Sequence, residues 1–207
     1  MKRSEWIQKV LDEHIPNPEP ALTHTSLFTL LVAVVLSAQC TDKAVNLVTP
    51  TLFALADTPA KMARQKEEKV YGIIKRLGLA PKKSKALVLL SKMLVEQFQG
   101  SVPNTLEELI TLPGVGRKTA SVVLSQGFGI PAFPVDTHIL RSAQRWGLSH
   151  GKNALQVEKD LVALFPKNTW IKLHLQIILF ARTFCPAKNH RADKCPICSQ
   201  IEAIPFT

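Results

Sequence analysis

Apolar residues recur at helical spacing along almost the whole chain. Two examples are the sets Val70, Ile73, Ile74, Leu77 and Leu87, Leu90, Leu94, Phe98, each of which forms one stripe on a helix. The most apolar run, from 27 to 36, is interrupted only by Thr29. At about ten residues it is half the ~20 needed to cross a bilayer, so it predicts a buried helix. The pattern therefore predicts an all-α protein without a membrane-spanning segment.

The segment from 105 to 126 has the pattern of two helices joined by a tight turn. Thr105 and Glu108 have the spacing of a capping box at the start of a short apolar helix. Pro113 stops that helix, and Gly114 and Gly116 permit positive φ angles and close approach of another backbone before a second helix from Arg117 to Gln126. Backbone N–H groups at such a turn can bind a phosphate.

The charge indicates a polyanionic partner. Lys and Arg number 26 against 16 Asp and Glu, a net charge of +10 in a chain that is 46% hydrophobic and therefore folded. Each local basic group, such as Lys82, Lys83 and Lys85, is equally consistent with a solvated surface, so the total charge carries the argument. The N-terminus lacks the apolar core of a signal peptide, which indicates a cytoplasmic protein.

Asp136 stands immediately before another apolar-periodic helix that extends to about Trp146. Aspartate is a favoured N-cap, and capping is the simplest interpretation of this residue. A catalytic interpretation is also open, because Lys118 likewise follows a predicted helix start. We expect the lysine and the aspartate to face one cleft.

Five separated segments resemble one known family. They are LSAQCTDKAVN from 36, IKRLGL from 74, LPGVGRKTA from 112, VDTHI from 135 and LHLQIILFAR from 173. Together they resemble the endonuclease III family of helix-hairpin-helix DNA glycosylases over essentially the whole chain. The resemblance implies a six-helix lobe from 21 to 131 that contains the helix-hairpin-helix (105–126). It implies a second lobe from 1–20 and 132–207, with a cysteine loop at 185–204.

The resemblance also implies a function: removal of oxidised pyrimidines from duplex DNA and cleavage of the abasic site. Lys118 matches the nucleophile that forms a Schiff base with the sugar, and Asp136 matches the essential carboxylate. Partial burial, Arg117 and the helix dipole are expected to keep the lysine amine neutral. We expect a monomer associated with the bacterial nucleoid. The alternative is a catalytically silent helix-hairpin-helix module that only binds DNA.

Further residues are predicted to contact DNA. Gln39 and Leu79 match residues that fill the space left by a flipped base, and His138 has a supporting role. The hairpin residues are predicted to bind phosphate, together with a monovalent cation; they are Leu112, Gly114, Val115, Gly116 and Arg117. The loop from 78 to 86 looks two residues longer than usual in the family, which adds Lys82 and Lys83 as phosphate contacts. An ordinary exposed loop is the alternative.

The C-terminal cysteines depart from the family pattern. The family holds a [4Fe-4S] cluster with a C-x6-C-x2-C-x5-C array, whereas here nine residues separate Cys185 from Cys195, followed by Cys198 and then Ile204 in place of the fourth cysteine. Three interpretations stay open: a cluster with an unusual fourth ligand, a zinc site completed by His190, or no metal. The remaining cysteine, Cys40, is predicted to be buried in a helix.

Overall fold

The computed structural model describes residues 1–204, which contain helices and turns and no strand. The prediction of an all-α protein is confirmed. Within this part of the chain, no helix combines the length and apolar character that crossing a bilayer would require. The α-helices are α1 (Arg3–His14), α2 (Leu27–Ser37), α3 (Asp42–Leu55), α4 (Pro59–Ala63), α5 (Glu67–Ile74), α6 (Ala80–Gln97), α7 (Leu106–Leu109), α8 (Arg117–Val122), α9 (Thr137–Arg145), α10 (Ala154–Leu164) and α11 (Trp170–Thr183).

The chain divides into two compact units, each with its own apolar core. The central unit is Pro20–Ile130, and the terminal unit combines Met1–Glu19 with the residues from Pro131 onward. The central unit therefore contains α2 to α8, and the terminal unit contains α1 and α9 to α11. Both halves of the 105–126 segment lie in the central unit.

Helix α2 is buried along almost its whole length. Every residue from 28 to 36 is buried, as the apolar run predicted, and Thr29 is buried with them. Thr29 is tolerated there because it belongs to the N-terminal cap: its N–H donates to Ser26 Oγ at 3.1 Å and its hydroxyl donates to the Ser26 carbonyl at 3.0 Å. The helix therefore satisfies its first turn internally and leaves its apolar surface for the core.

The connection before α6 is shorter than the sequence suggested. Helix α6 begins at Ala80, directly after Leu79, so most of the segment from 78 to 86 is helical. The expected long loop is wrong. Pro81 does not prevent a helix here, because it lies in the first turn. In that turn the N–H that proline lacks would have no helical partner.

In the terminal unit, α1 is fastened to α11 by polar contacts at the edge of an aromatic core. Gln176 donates to Asp12 Oδ1 at 3.0 Å and to the Ile15 carbonyl at 2.9 Å. Lys172 also donates to Asp12, and this hydrogen bond lowers the pKa of the Asp12 carboxyl. These bonds fix the N-terminal helix on a core that includes Trp146 and Phe180, whose rings pack edge to face at 5.6 Å.

Candidate functional site

The predicted helix-turn-helix is present as α7 and α8. The Thr105 hydroxyl accepts a hydrogen bond from the Glu108 N–H at 3.3 Å and donates to Glu108 Oε2 at 2.6 Å, which confirms the capping pattern. The second helix is less regular than predicted. Regular α-helix ends at Val122 and a π-helical turn, Val123–Gly127, follows.

The two glycines of the turn have different roles. Gly114 has a φ of +80°, and a Cβ built on it would lie 2.9 Å from Ala86 Cβ and 3.5 Å from Val35 Cγ1. Gly116 is the N-cap of α8 and has an ordinary φ of −94°. Nothing lies within 4 Å of a Cβ at Gly116. Gly114 is therefore required by the fold, whereas Gly116 leaves the start of α8 open for an approaching group.

Lys118 is the second residue of α8 and is exposed. The expected partial burial of this lysine is therefore not provided by the protein itself. Its position places it one residue beyond the open start of the helix, where backbone N–H groups favour an anion. A group bound at the turn would thus be held next to the lysine amine.

Asp136 is the N-cap of α9, as predicted. Its Oδ1 accepts a hydrogen bond from the Ile139 N–H at 2.8 Å, and the residue is half-buried. Two residues later, His138 Nδ1 lies 3.3 Å from Arg141 Nη2. The helix start therefore fixes one carboxylate oxygen in place.

Gln39 and Leu79 occupy two neighbouring turns of the central unit. Both side chains are exposed, and both residues have a positive φ, 56° and 60°. Each such backbone conformation costs about 1–2 kcal/mol for a residue other than glycine. The turns are close together: Cys40 Sγ lies 3.9 Å from the Gly78 carbonyl, and a Cβ at Gly78 would lie 3.5 Å from the Gln39 carbonyl.

Two residues near these turns differ from the sequence-based expectation. Lys83 is only 5% exposed, so the expected phosphate contact by this lysine is wrong. Its ammonium group is instead enclosed by the end of α2. The spacing of 83, 87, 90 and 94 was the missed signal, because all four positions lie on the buried stripe of α6. Cys40 is also not within a helix: it follows the end of α2 and is half-buried.

The C-terminal loop gathers four donors of the kind that hold a metal ion. The ligand atoms of Cys185, His190, Cys195 and Cys198 all lie within 4.8 Å of one another. The sulfurs of Cys185 and Cys198 are 3.9 Å apart, and His190 Nε2 is buried without a hydrogen-bond partner. A buried nitrogen facing thiols is satisfied by a cation. The donor set therefore fits a metal site, and cysteine clusters of this kind also occur in iron–sulfur proteins.

The ionisation of each thiol in this loop depends on its neighbours. Hydrogen bonds from the Cys195 and Cys198 thiols, with a further one from Arg145, lower the pKa of Cys185 to about 2. The same contacts raise the pKa of Cys198. One thiolate thus suppresses ionisation of its neighbour, and all three sulfurs can be thiolates together only around a positive ion.

Helix α9 connects the aspartate to this loop within the terminal unit. Arg141 donates to the Cys185 carbonyl at 3.1 Å, and Arg145 donates to the Pro186 carbonyl at 2.8 Å. Arg145 also lies 3.4 Å from Cys185 Sγ. Both guanidinium groups therefore hold the start of the cysteine loop against the helix that Asp136 begins.

Comparison with known proteins gives a consistent result. Residues 32–167 match the family described as HhH-GPD superfamily base excision DNA repair protein. Endonuclease III of Treponema pallidum is 45% identical over 93% of this chain and 92% of its own length. Endonuclease III of Bacillus subtilis is 42% identical over 96% of this chain and 91% of its own length.

Solved structures agree in fold. A trapped endonuclease III–DNA covalent intermediate superposes with a TM-score of 0.90 at 39% identity, covering 95% of this chain and 94% of that one. A non-covalent endonuclease III–DNA complex has the same TM-score and covers 98% of both chains. A thermostable thymine-DNA glycosylase, at 21% identity and a TM-score of 0.80, shares the fold.

The two glycines of the turn allow a matched test of the fold. We expect Gly114→Ala to lower the free energy of unfolding by about 2 kcal/mol, because it combines a strained φ with a clash against Ala86. Gly116→Ala should change it by less than about 0.5 kcal/mol, since that position is open and has an ordinary φ. Urea unfolding of the two variants measures the difference, and equal losses would contradict this assignment.

Proposed function

Because the chain belongs to the HhH-GPD superfamily of base excision DNA repair proteins, we propose that it is a bifunctional DNA glycosylase and abasic-site lyase that acts on oxidised pyrimidines. Its partner is double-stranded DNA containing a damaged base or an abasic site. The observation that carries the proposal is the position of Lys118, exposed and directly beyond the open turn of the hairpin. The protein works as a monomer in the bacterial cytoplasm, where the nucleoid lies.

Lys118 is the nucleophile. Its neutral Nζ attacks C1′ of the deoxyribose, the C1′–N bond to the base breaks, and the base leaves with a proton. Ring opening gives a Schiff base between Nζ and C1′. Loss of a proton from C2′ then breaks the C3′–O bond by β-elimination, and water hydrolyses the imine to release the lysine. One amine thus serves both base removal and strand cleavage.

Asp136 supplies the carboxylate. Positive charge develops on the sugar as the base leaves, and a fixed carboxylate stabilises that charge and can transfer protons. The hydrogen bond from the Ile139 N–H holds one carboxylate oxygen, so the group is oriented before substrate arrives. Capping and catalysis are compatible in one side chain, because capping uses a hydrogen-bond acceptor and catalysis uses the negative charge.

The remaining predicted residues hold and open the duplex. The hairpin from Leu112 to Arg117 binds the phosphate backbone without reading sequence, with a monovalent cation at the turn. Gln39 and Leu79 enter the stack when the damaged base rotates out. Their exposure and proximity in the central unit support this role. His138 supports the DNA contact from the first turn of α9.

The cysteine loop would hold a zinc ion through Cys185, His190, Cys195 and Cys198. The ligand atoms of these four residues lie within 4.8 Å of one another, and three cysteines with one histidine are a donor set that structural zinc sites use. Ile204, at the position of the family's fourth cysteine, has no donor atom. Such an ion would have a structural role and would fix the loop that follows α11.

The first test of the enzyme is trapping of the Schiff base. Wild-type protein incubated with duplex DNA carrying one abasic site should form a covalent adduct when borohydride is added, because borohydride reduces the imine. Lys118→Ala should form none. Denaturing gel electrophoresis measures the adduct. Arg117→Ala, one residue earlier, is the matched control and should weaken binding while still forming adduct. Wild-type protein without adduct would overturn the proposed mechanism.

Asp136→Asn separates the two properties of the aspartate. Asparagine caps helices about as well as aspartate, so stability and DNA binding should be kept, while excision of thymine glycol falls by about 10²–10⁴-fold. Asp136→Ala should in addition lose about 1 kcal/mol of stability through the missing cap. Single-turnover excision, measured beside thermal unfolding, distinguishes them. Full excision activity in Asp136→Asn would assign the residue to capping alone.

Elemental analysis identifies the metal. Purified protein should contain about one zinc per chain and no iron–sulfur absorbance, and His190→Ala should lose most of the zinc and unfold at a lower temperature. Lys188→Ala, an exposed neighbour in the same loop, should keep the metal. Iron and sulfide in the proportion of an iron–sulfur cluster would show that the site holds a cluster and not zinc. Protein without bound metal that unfolds at the same temperature with and without added zinc would contradict the site.

A further inference from the structure

Lys83 is a buried lysine that the proposed mechanism does not use. It lies in the first turns of α6 at 5% exposure. Its ammonium group donates to three acceptors: the Leu36 carbonyl at 2.8 Å, the Ala38 carbonyl at 2.7 Å and Cys40 Sγ at 3.2 Å. An ammonium group has three donors, so these contacts match its full capacity.

The acceptors lie at a place where a cation is needed. The last carbonyls of a helix have no helical N–H partner and carry the negative end of the helix dipole. Helix α2 ends at Ser37 without a basic residue in its own last turn, and its body is buried. Lys83 therefore caps the end of α2 from a different helix.

The same three contacts enclose Gln39. The carbonyl acceptors of Leu36 and Ala38 precede Gln39, and the acceptor Cys40 Sγ follows it. Lys83 therefore holds the chain on both sides of the left-handed turn. A strained conformation persists only where its surroundings determine it. The Gln39 side chain is exposed, so the strain serves to aim that side chain outward.

Lys83 also fixes the second turn. Its backbone N–H donates to the Leu79 carbonyl at 3.0 Å, the first hydrogen bond of α6 after the left-handed Leu79. One residue thus holds the turn of Gln39 through its side chain and the turn of Leu79 through its backbone. The two exposed side chains are positioned together before any DNA is bound.

We propose that Lys83 is the positioning residue for duplex opening: it preorganises Gln39 and Leu79 to enter the base stack and does not contact DNA. This inference rests on the proposed function. Flipping a base out of a duplex is costly, and a rigid pair of side chains reduces the part of that cost that comes from ordering the protein. The chemistry at Lys118 and Asp136 does not depend on Lys83.

Lys83→Met tests the proposal, because methionine keeps a long unbranched side chain and removes the charge and donors. With enzyme in excess and DNA saturated, Schiff-base trapping at an abasic site in a duplex should slow at least tenfold. Trapping at the same site in a single-stranded oligonucleotide, where no stack has to be opened, should stay within twofold of wild type. Equal slowing on both substrates, or none on the duplex, would overturn the inference.

Lys82→Met is the matched comparison, because Lys82 is the exposed neighbour of Lys83 on the same turn. Its loss should reduce the slope of log affinity against log salt by about 0.9, as for one lost phosphate contact. Lys83→Met should leave the slope unchanged on a duplex that carries an unreactive abasic analogue. A reduced slope for Lys83→Met would make Lys83 a phosphate contact and reject the positioning role.

A double variant and a milder one complete the test. The double variant Gln39→Ala, Lys83→Met should trap duplex DNA less than twofold more slowly than Gln39→Ala alone, because the side chain to be positioned is already absent. A further tenfold loss would contradict the inference. If Lys83→Met does not fold, Cys40→Ala removes one of the three acceptors and should slow duplex trapping two- to threefold, with no change indicating failure. Wild-type protein that forms no adduct would instead reject the proposed function.

Discussion

A helix buried on all sides must find partners for its last carbonyl groups inside the protein, and this constraint organises the central unit. Helix α2 satisfies its first turn through Ser26 and Thr29, but its end relies on the ammonium group of Lys83. Because the helix is apolar throughout, it also forms the surface against which the glycine turn packs: a Cβ at Gly114 would contact Val35. The hairpin and the Gln39 turn thus share one support.

That support explains why strained backbone is found at the exposed turns. Gln39, Leu79 and Gly114 all have positive φ angles, yet only the last is a glycine. Gly114 has this conformation at little cost, whereas the other two require surrounding contacts to maintain it. The proposed functions account for this difference: binding of phosphate by the turn at Gly114 would need backbone only, whereas entry of Gln39 and Leu79 into the base stack would need a side chain.

The sequence predicted those features that depend on local chemistry. The buried run of α2, the capping pair at Thr105 and the N-cap at Asp136 each follow from a few adjacent residues. The clearest error concerns a residue whose environment is set by distant segments. Lys83 resembled a surface lysine because its acceptors lie more than 40 positions earlier. The gathering of His190 with three cysteines similarly requires the folded loop.

The terminal unit also holds an irregular segment through cationic side chains. Helix α9 begins at the Asp136 cap, and its arginines hold the loop that contains the four metal donors. Contacts with Cys185 and Cys195 raise the pKa of the Cys198 thiol, so the ionisation of one thiol in this loop depends on its neighbours. In both units, cationic side chains stabilise an irregular segment next to a helix: Lys83 holds the end of α2, and Arg141 and Arg145 hold the loop that follows α11.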